Sequence, residues 1–328
     1  MYLGVDGGGT KTAYALIDDR GRILASHLTA SVSHLSVGLT AATAMLGEGI
    51  RAILAQASLQ PADIAFAFFG LPAYGEDSAT TTQMDAMPTP ILERAKVRCG
   101  NDMICSWAGS LGCRDGISVI AGTGSIAYGE YAGRAARTGG WGELIGDEGS
   151  AYWIAREGMN LFSRMSDGRA ARGPLHAIVC KRFDLGVDLD LCARLYGESA
   201  SARSTFAQFA KLVSDAATAG DHQARELFLR AADELVALAL AVRRTLAVPD
   251  TETLPVSYSG GALAGSPVLL AAFTETLKAI APPFDCRAPL FPPVLGAALY
   301  AARLAGKPLA EQALATLGRE SAKASLPQ

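Results

Sequence analysis

Two short glycine-rich segments, each set between two predicted strands, constrain the fold of this chain more than any other feature. Residues 7–10 read GGGT and separate apolar runs at 2–6 and 12–17. Residues 122–125 read GTGS and separate two further apolar runs of the same kind. Two copies of one strand–turn–strand unit predict an internal duplication, with a cleft between the two halves.

The remaining periodicity predicts an α/β fold. Apolar residues at helical spacing predict a helix at 39–56, and short apolar runs predict further strands at 64–69 and 255–259. An alanine-rich helix is predicted at 294–305, after an extended approach. The tail beyond Arg319 is predicted to be frayed.

Length and composition exclude several classes of protein. The 328 residues exceed one ordinary core, so two domains are expected, and a charged fraction of 19% fits a soluble globular chain. The net charge of −3 shows no excess of positive charge that would attract nucleic acid or an anionic membrane. A small-molecule partner is therefore favoured. No signal-peptide pattern follows Met1, so a cytoplasmic protein is expected. The six cysteines form no CxxC pair, so neither a zinc ribbon nor a thioredoxin-like site is indicated.

The first glycine-rich turn directly follows an aspartate at the end of a predicted strand, and residues 6–12 read DGGGTKT. A turn without side chains lets successive backbone N–H groups form a phosphate-binding concavity. The spacing is neither that of a Walker A loop nor that of a dinucleotide fingerprint, and three glycines exceed what a hairpin turn needs. We therefore expect phosphate contacts at Gly8, Gly9, Thr10 and Lys11. We expect Asp6 to bind Mg²⁺ through water beside them.

Two further glycine-rich segments are expected to contact the nucleotide. The GTGS turn has the same glycine-rich composition as the first turn. Two glycines follow the strand at 255–259, and their lack of side chains permits a flat nucleoside to lie against the backbone. For the late segment, a simple helix start is nearly as good an interpretation. The expected contacts are Gly122, Thr123 and Gly124 in the first segment, and Gly260, Gly261 and Ala262 in the second.

Two acidic positions at predicted helix starts can carry chemistry or merely cap a helix. A short strand at 97–100 stops at Asn101 and Asp102, where the Asp102 carboxylate could cap the next helix or act as a general base. Farther on, Asp147 and Glu148 precede a helix, and one of them is expected to cap its free N–H groups. The other would then be able to face a ligand.

The order of these motifs resembles the actin-like ATPase superfamily, which includes sugar kinases and heat-shock ATPases. The elements are DGGGTKT, GTGS, SGGA and a closing PPVLGAALYAA helix, and they cover nearly the whole chain. Residues 139–153, GGWGELIGDEGSAYW, resemble the signature of N-acetylglucosamine kinases within the BadF/BadG/BcrA/BcrD ATPase family. The resemblance implies two duplicated, ribonuclease H-like domains of the actin-like type. It also implies an ATP- and Mg²⁺-dependent kinase that phosphorylates an amino-sugar, N-acetylglucosamine to its 6-phosphate.

The resemblance implies roles for residues at matching positions. Asp102 lies where the family keeps its catalytic aspartate in a (T/N)DxxxA motif, which implies that it accepts the proton of the sugar hydroxyl. Sugar contacts are implied for Ser33, His34, Asn101, Asp102, Gly124 and Asp147. Two positions depart from the family and leave the exact sugar open. Ser33 stands where these kinases usually carry asparagine, and Thr138 stands where N-acetylglucosamine kinases tend to have cysteine.

The predicted domains are 1–114 and 115–295, with a C-terminal helical segment at 296–328 packing back on the first. A glucosamine kinase is one alternative, in which Asp147 would pair with the ammonium group. An activator ATPase of an acyl-CoA dehydratase or reductase is another, and it would need Cys99, Cys105 and Cys113 for a shared iron–sulfur cluster. A sugar-sensing regulator ranks last. A homodimer is common in such families, and the sequence leaves the oligomeric state open.

Overall fold

The computed structural model describes residues 1–196 and 203–324. The chain divides into two compact units. Unit 1 comprises Met1–Arg114 and the chain from Ala288 on, and unit 2 comprises Asp115–Arg287. Unit 1 is therefore discontinuous in sequence, whereas unit 2 is continuous.

Each unit is built on a five-stranded mixed sheet. The strands of unit 1 are β1 Tyr2–Gly7, β2 Lys11–Ile17, β3 Ile23–Ala30, β4 Phe66–Leu71 and β5 Val97–Asn101. The strands of unit 2 are β6 Gly116–Ala121, β7 Ser125–Tyr131, β8 Arg134–Gly139, β9 Leu254–Ser259 and β10 Phe284–Arg287.

The two sheets share one topology. Their strand orders are β3-β2-β1-β4-β5 and β8-β7-β6-β9-β10. In each sheet the first three strands in sequence form an antiparallel meander, and the next two add in parallel beside the first. The predicted internal duplication is therefore confirmed at the level of strand order and direction.

Helices cover the sheets. They are α1 His34–Val37, α2 Leu39–Gln56, α3 Ser78–Ala86, α4 Met103–Leu111, α5 Ala151–Ser166, α6 Pro174–Phe183, α7 Leu191–Leu195, α8 Arg203–Ala207, α9 Ala210–Thr218, α10 His222–Thr245, α11 Gly261–Gly265, α12 Pro267–Ala279, α13 Pro293–Leu304 and α14 Glu311–Lys323. Within the described part of the chain, no helix combines the length and the apolar character that a membrane span requires.

The alanine-rich helix α13 packs its backbone directly onto unit 1. A Cβ added at Gly4 on β1 would lie 2.2 Å from the Ala298 nitrogen, and one added at Gly296 would lie 2.1 Å from the Cys105 carbonyl oxygen. Residues without large side chains allow this approach, and the helix buries residues on nearly all of its faces. The composition of α13 is thus explained by close packing against a strand and a helix.

The C-terminal region differs from the sequence-based prediction. The tail beyond Arg319 was expected to be frayed, but α14 extends to Lys323. Its Leu317 side chain is buried, and a Cβ at Gly21 would lie 2.0 Å from the Ala313 carbonyl oxygen, so the helix packs against the turn before β3. Tertiary packing thus orders a polar segment of weak local signal. The last four residues of the predicted 296–328 segment lie outside the described residues.

Candidate functional site

Three parallel strands of unit 1 end at one edge of the sheet, and two aspartates lie there. Asp6 on β1 pairs in register with Gly70 on β4, and Gly70 pairs with Gly100 on β5. Asp102 follows β5 directly and precedes α4. Because parallel strands bring their carboxyl ends to the same edge, the register places both aspartates at that edge.

A glycine and a cysteine shape the space around these aspartates. A Cβ added at Gly70 would lie 2.2 Å from Sγ of Cys105 and 3.1 Å from Cα of Asp102. The buried Cys105 thiol donates to the Val5 carbonyl oxygen at 3.6 Å and also lies within hydrogen-bonding reach of the Asp6 carboxylate. The absence of a side chain at Gly70 therefore lets α4 begin close to β1 and β4.

The surroundings of the two carboxylates favour their protonated forms. Burial raises the pKa of Asp6 to about 6, from an ordinary value of 3.8. Burial, followed by the charges of Asp6 and Glu76, raises the pKa of Asp102 to about 8. Two neighbouring, half-buried carboxylates fit a hard divalent cation such as Mg²⁺, which prefers oxygen ligands. A carboxylate with a raised pKa also suits proton transfer near neutral pH.

Asn101 and Asp102 both lie at the start of α4, and Asp102 is its N-cap residue. Oδ1 of Asn101 accepts from the Met103 N–H at 3.1 Å, and its Nδ2 donates to the Tyr74 carbonyl oxygen at 3.2 Å. The backbone N–H groups of Met103 and of Asp102 itself lower the pKa of the Asp102 carboxylate, against the larger effect of burial. The backbone thus holds both ends of the Asn101 amide, and its contact with a sugar stays a prediction.

The first glycine-rich turn is a tight hairpin. The Gly8 N–H donates to the Lys11 carbonyl oxygen at 2.9 Å, so this N–H is used inside the turn, and Gly9 and Thr10 are exposed at the tip. The Ser31 hydroxyl braces the turn by donating to the Gly8 carbonyl oxygen at 2.7 Å. The tip offers the open backbone that a phosphate needs, and the phosphate contacts of residues 8–11 stay predictions.

The chain from β3 into α1 is tied to the same hairpin. The Val32 N–H donates to Oγ1 of Thr12 at 3.1 Å, and the Ser33 N–H donates to Oγ of Ser31 at 3.1 Å. Ser33 is buried, and the buried Nδ1 of His34 has no hydrogen-bond partner among residues 1–196 and 203–324. A ligand hydroxyl would supply the hydrogen bond that this buried nitrogen lacks. The sugar contacts of Ser33 and His34 stay predictions.

The second glycine-rich turn, in unit 2, is anchored on the start of α5. The Ala151 N–H donates to the Gly122 carbonyl oxygen at 2.9 Å, and the Tyr152 N–H donates to the Thr123 carbonyl oxygen at 3.3 Å. Within the turn, the Gly122 N–H donates to the Gly124 carbonyl oxygen at 2.9 Å. The turn is thus held by backbone contacts before any ligand binds, as a preorganised phosphate loop requires.

Asp147 supports this turn and does not cap α5. Its Oδ1 accepts from the Ser125 N–H at 3.1 Å, its side chain is buried, and its φ of 60° is left-handed. Oγ of Ser150 accepts from the Trp153 N–H at 3.2 Å and caps the helix. The expectation that Asp147 or Glu148 caps α5 is therefore wrong, because serine occupies the N-cap position. A sugar contact of Asp147 stays a prediction.

The late glycine pair meets the second turn through backbone contacts. Gly260 has a φ of +87°, and a Cβ there would lie 2.5 Å from the Ala121 carbonyl oxygen and 2.9 Å from the Gly122 nitrogen. Two segments far apart in sequence therefore lie side by side in unit 2. The helix-start interpretation also holds, since α11 begins at Gly261. Nucleoside contacts of Gly260, Gly261 and Ala262 stay predictions.

Sequence reasoning missed the residues that shape the site without carrying its chemistry. Gly70 and Cys105 border Asp102, and Ser31 braces the Gly8 carbonyl oxygen. Of these residues, only Gly70 has a recognisable signal in the local sequence, because it directly follows the apolar run at 64–69. The roles of the thiol and the hydroxyl depend on strand register and tertiary contacts.

Comparisons with known proteins agree with this arrangement. A model of the BadF/BadG/BcrA/BcrD ATPase family matches residues 3–301. The N-acetyl-D-glucosamine kinase of Dictyostelium discoideum is 26% identical over 310 residues, which cover 92% of this chain and 97% of that protein. An N-acetylmuramic acid/N-acetylglucosamine kinase of Clostridium acetobutylicum is 32% identical over 166 residues, which cover 50% of this chain and 54% of that protein.

Solved structures show the same fold. A candidate N-acetylglucosamine kinase from Chromobacterium violaceum has a TM-score of 0.71 at 27% identity, covering 91% of this chain and 98% of that chain. A ROK family glucokinase from Streptomyces griseus, in complex with glucose and AMPPNP, has a TM-score of 0.52 at 17% identity, covering 92% of this chain and 99% of that chain. The second likeness concerns the fold alone. The predicted α/β, duplicated actin-like fold is confirmed.

Proposed function

The chain belongs to the BadF/BadG/BcrA/BcrD ATPase family, and from this premise we propose that it is an ATP-dependent kinase that phosphorylates N-acetylglucosamine on its C6 hydroxyl. One observation carries the proposal. The strand register of unit 1 brings Asp6 and Asp102 to one sheet edge, beside a hairpin with an open glycine tip. The activities of the two curated kinases support the choice of substrate.

Asp102 is the proposed general base. Its carboxylate is not the one acceptor at the start of α4, because Oδ1 of Asn101 accepts from the Met103 N–H. A pKa of about 8 gives the carboxylate a high affinity for the proton of a sugar hydroxyl, and the sugar oxygen becomes a better nucleophile as that proton leaves. Phosphoryl transfer asks little more of the protein than this proton acceptor, correct positioning and neutralisation of charge.

Asp6 and the hairpin tip are the proposed contacts for Mg²⁺ and the phosphates. When bound, Mg²⁺–ATP supplies the phosphoryl group and the charge neutralisation that its transfer needs. Asp6 would hold the cation through water, and the N–H groups of Gly9 and Thr10 would bind phosphate oxygens. Lys11 carries the positive charge of this turn, and its charge lowers the pKa of Asp6 against the larger effect of burial.

Unit 2 supplies the proposed contacts for the rest of the nucleotide. The Gly122–Gly124 turn and Gly260 meet through their backbones, so they present surface without side chains. Asp147 acts in this proposal as a positioning residue, because its carboxylate holds the Ser125 N–H at the end of the turn.

The environment of Asp147 favours the N-acetylated sugar over glucosamine. A glucosamine kinase would need an available carboxylate for the ammonium group, and Asp147 is only 2% exposed and already accepts a backbone hydrogen bond. The activator alternative is disfavoured by the cysteines. Cys99 and Cys105 are buried, whereas a cluster shared across a dimer needs ligands at the surface. A homodimer and a cytoplasmic location stay predictions.

A coupled assay of ATP turnover tests the proposal. The sugars are N-acetylglucosamine, glucosamine, N-acetylmuramic acid, N-acetylmannosamine and glucose. We expect the highest kcat/KM with N-acetylglucosamine, and a loss of about 10²- to 10⁴-fold in kcat for Asp102→Asn, because the amide cannot accept the proton.

The control is Asp19→Asn, which removes an exposed carboxylate of the same unit and should leave turnover unchanged. Turnover with none of the five sugars would overturn the proposed function. An Asp102→Asn variant with an undiminished rate would overturn the proposed base.

A further inference from the structure

Three side chains that commonly bind transition metals converge in unit 2, and none of them has a role in the proposed kinase reaction. His176 and Cys180 lie four residues apart on α6, and therefore on one face of that helix. Asp188 begins a short 3₁₀ turn, Asp188–Asp190, and folds back toward the same face. One ligand atom from each of the three residues lies within 4.8 Å of the other two.

The distances between these atoms fit one bound ion. Nε2 of His176 lies 2.7 Å from Oδ2 of Asp188, Sγ of Cys180 lies 3.4 Å from Oδ1 of Asp188, and Sγ lies 3.9 Å from Nε2 of His176. Metal–ligand bonds of about 2.0 to 2.3 Å in a tetrahedron separate neighbouring ligand atoms by about 3.5 Å. Small side-chain rotations would therefore seat a metal among the three atoms.

Neighbouring groups hold the cluster in place. The ring of Phe162 on α5 stacks on the His176 imidazole, with centroids 5.2 Å apart and an interplanar angle of 17°. Helix α6 is followed by the C-cap residue Asp184 in a left-handed conformation, and the Leu185 N–H donates to the Cys180 carbonyl oxygen at 3.0 Å. The loop that returns Asp188 is thus short and capped, so little chain entropy opposes metal binding.

Arg172 competes with a cation for the cluster. Its Nη2 lies 3.3 Å from Oδ2 of Asp188, and its side chain is 61% exposed. This guanidinium neutralises the carboxylate in the absence of metal. An exposed arginine can move into solvent at small cost, because surface ion pairs contribute only about 0 to 1 kcal/mol.

From this geometry we propose that His176, Cys180 and Asp188 bind one Zn²⁺ ion. Nitrogen, sulfur and oxygen ligands suit zinc, whereas Mg²⁺ demands oxygen ligands in an octahedral arrangement. Cys180 binds as the thiolate and loses its proton to solvent, and the imidazole binds in its neutral form. Three protein ligands leave a fourth position for water, and the metal links α6 to the turn that follows it.

Cobalt substitution tests the site, because tetrahedral Co²⁺ is coloured and its thiolate bond gives a charge-transfer band. The full chain is freed of metal with a chelator and titrated with Co²⁺ alone. We expect one Co²⁺ per chain, visible ligand-field bands and a near-ultraviolet thiolate band, all of which Zn²⁺ removes by displacement. The thiolate band should vanish in Cys180→Ser. His176→Gln and Asp188→Asn should each weaken binding by at least about tenfold, since even the loss of an outer-shell partner costs this much.

Two further variants separate this site from chance metal binding. Cys192→Ser removes an exposed cysteine of the neighbouring helix α7 and should leave the spectrum unchanged. Arg172→Gln removes the competing cation and should tighten Co²⁺ binding. Circular dichroism of each variant shows whether it is folded. A wild-type protein without a thiolate–cobalt band would overturn the proposal, as would a band that persists in folded Cys180→Ser.

Discussion

The two units have the same strand order, but they place different residues at the corresponding edge of the sheet. The residue before the glycine-rich turn is charged in unit 1 and apolar in unit 2. In unit 1, Asp6 lies on β1 directly before the glycine-rich turn. When the GGGT and GTGS turns are aligned, Ala121 takes the corresponding place in unit 2. Unit 1 therefore carries the charged groups, whereas unit 2 presents the bare backbone of Gly122 and Gly260. The proposed function thus assigns proton and metal chemistry to unit 1 and a neutral packing surface to unit 2.

The largest expected effect comes from filling the space beside Asp102 in unit 1. Gly70→Ala places a Cβ 2.2 Å from Sγ of Cys105, so α4 and Asp102 must shift. We expect kcat to fall by about 10²-fold or more, since a shift of 1 Å can cost that much. Steady-state kinetics of the folded variant measure the effect. Gly186→Ala, where an added Cβ meets nothing within 4 Å, is the control, and equal rates for both variants would contradict the assignment of this edge.

The corresponding change in unit 2 should act on the nucleotide. Gly260→Ala forces a side chain into a left-handed backbone conformation and places its Cβ 2.5 Å from the Ala121 carbonyl oxygen. We expect the KM for ATP to rise about tenfold while the KM for the sugar changes little, because only the nucleotide turn moves. Gly265→Ala, at the far end of α11, meets nothing within 4 Å and serves as the matched variant. A rise confined to the KM for the sugar would reverse the division of labour proposed for the two units.

A smaller effect should distinguish support of the turn from sugar binding at Asp147. Asn can still accept from the Ser125 N–H and tolerates the left-handed backbone, whereas Ala can do neither. We expect Asp147→Asn to keep turnover within about threefold of wild type and Asp147→Ala to lose about tenfold, the value of one buried hydrogen bond. If Asn and Ala lose activity equally, the negative charge matters and the glucosamine alternative returns.

A further effect concerns the stability of the fold, and it originates in unit 1. The pKa of Asp102 is raised to about 8 from 3.8, so the folded state holds this proton more tightly than the unfolded chain. The associated stability is complete below the unfolded pKa and is lost as pH rises toward 8. The Asp102→Asn variant has no carboxyl group at this position, so it does not lose this stability as pH rises. We therefore expect its Tm to match wild type near pH 4 and to exceed it near pH 8, measured by calorimetry without Mg²⁺. A constant difference across this range would contradict the raised pKa.

Local pattern was enough to predict the parts of the fold that carry regular signals. The helix at 39–56 agrees with α2 at both ends, because its apolar spacing is helical and a glycine precedes it. The glycine-rich turns were recognisable because glycine clusters are unusual between strands. The prediction of a frayed tail is wrong for residues 320–323, because they belong to α14, a largely polar helix that packs through Leu317.

Roles that depend on competition between similar side chains could not be predicted from the sequence. Asn101 and Asp102 are both good caps, and only the structure shows that Asn101 accepts from Met103. In the same way, Ser150 caps α5 ahead of the acidic pair, which frees Asp147 to hold Ser125. Backbone geometry decides which of several neighbouring side chains reaches a given N–H group. Local sequence does not reveal differences of a few ångströms in that geometry.

The discontinuity of unit 1 has a consequence for biosynthesis. Unit 2 is complete in sequence once residue 287 has left the ribosome, whereas unit 1 still lacks α13 at that point. The faces of β1 and α4 that approach Ala298 and Gly296 stay uncovered until then. Unit 1 therefore completes its core only near the end of synthesis, and a truncation before Pro293 would leave it without part of that core.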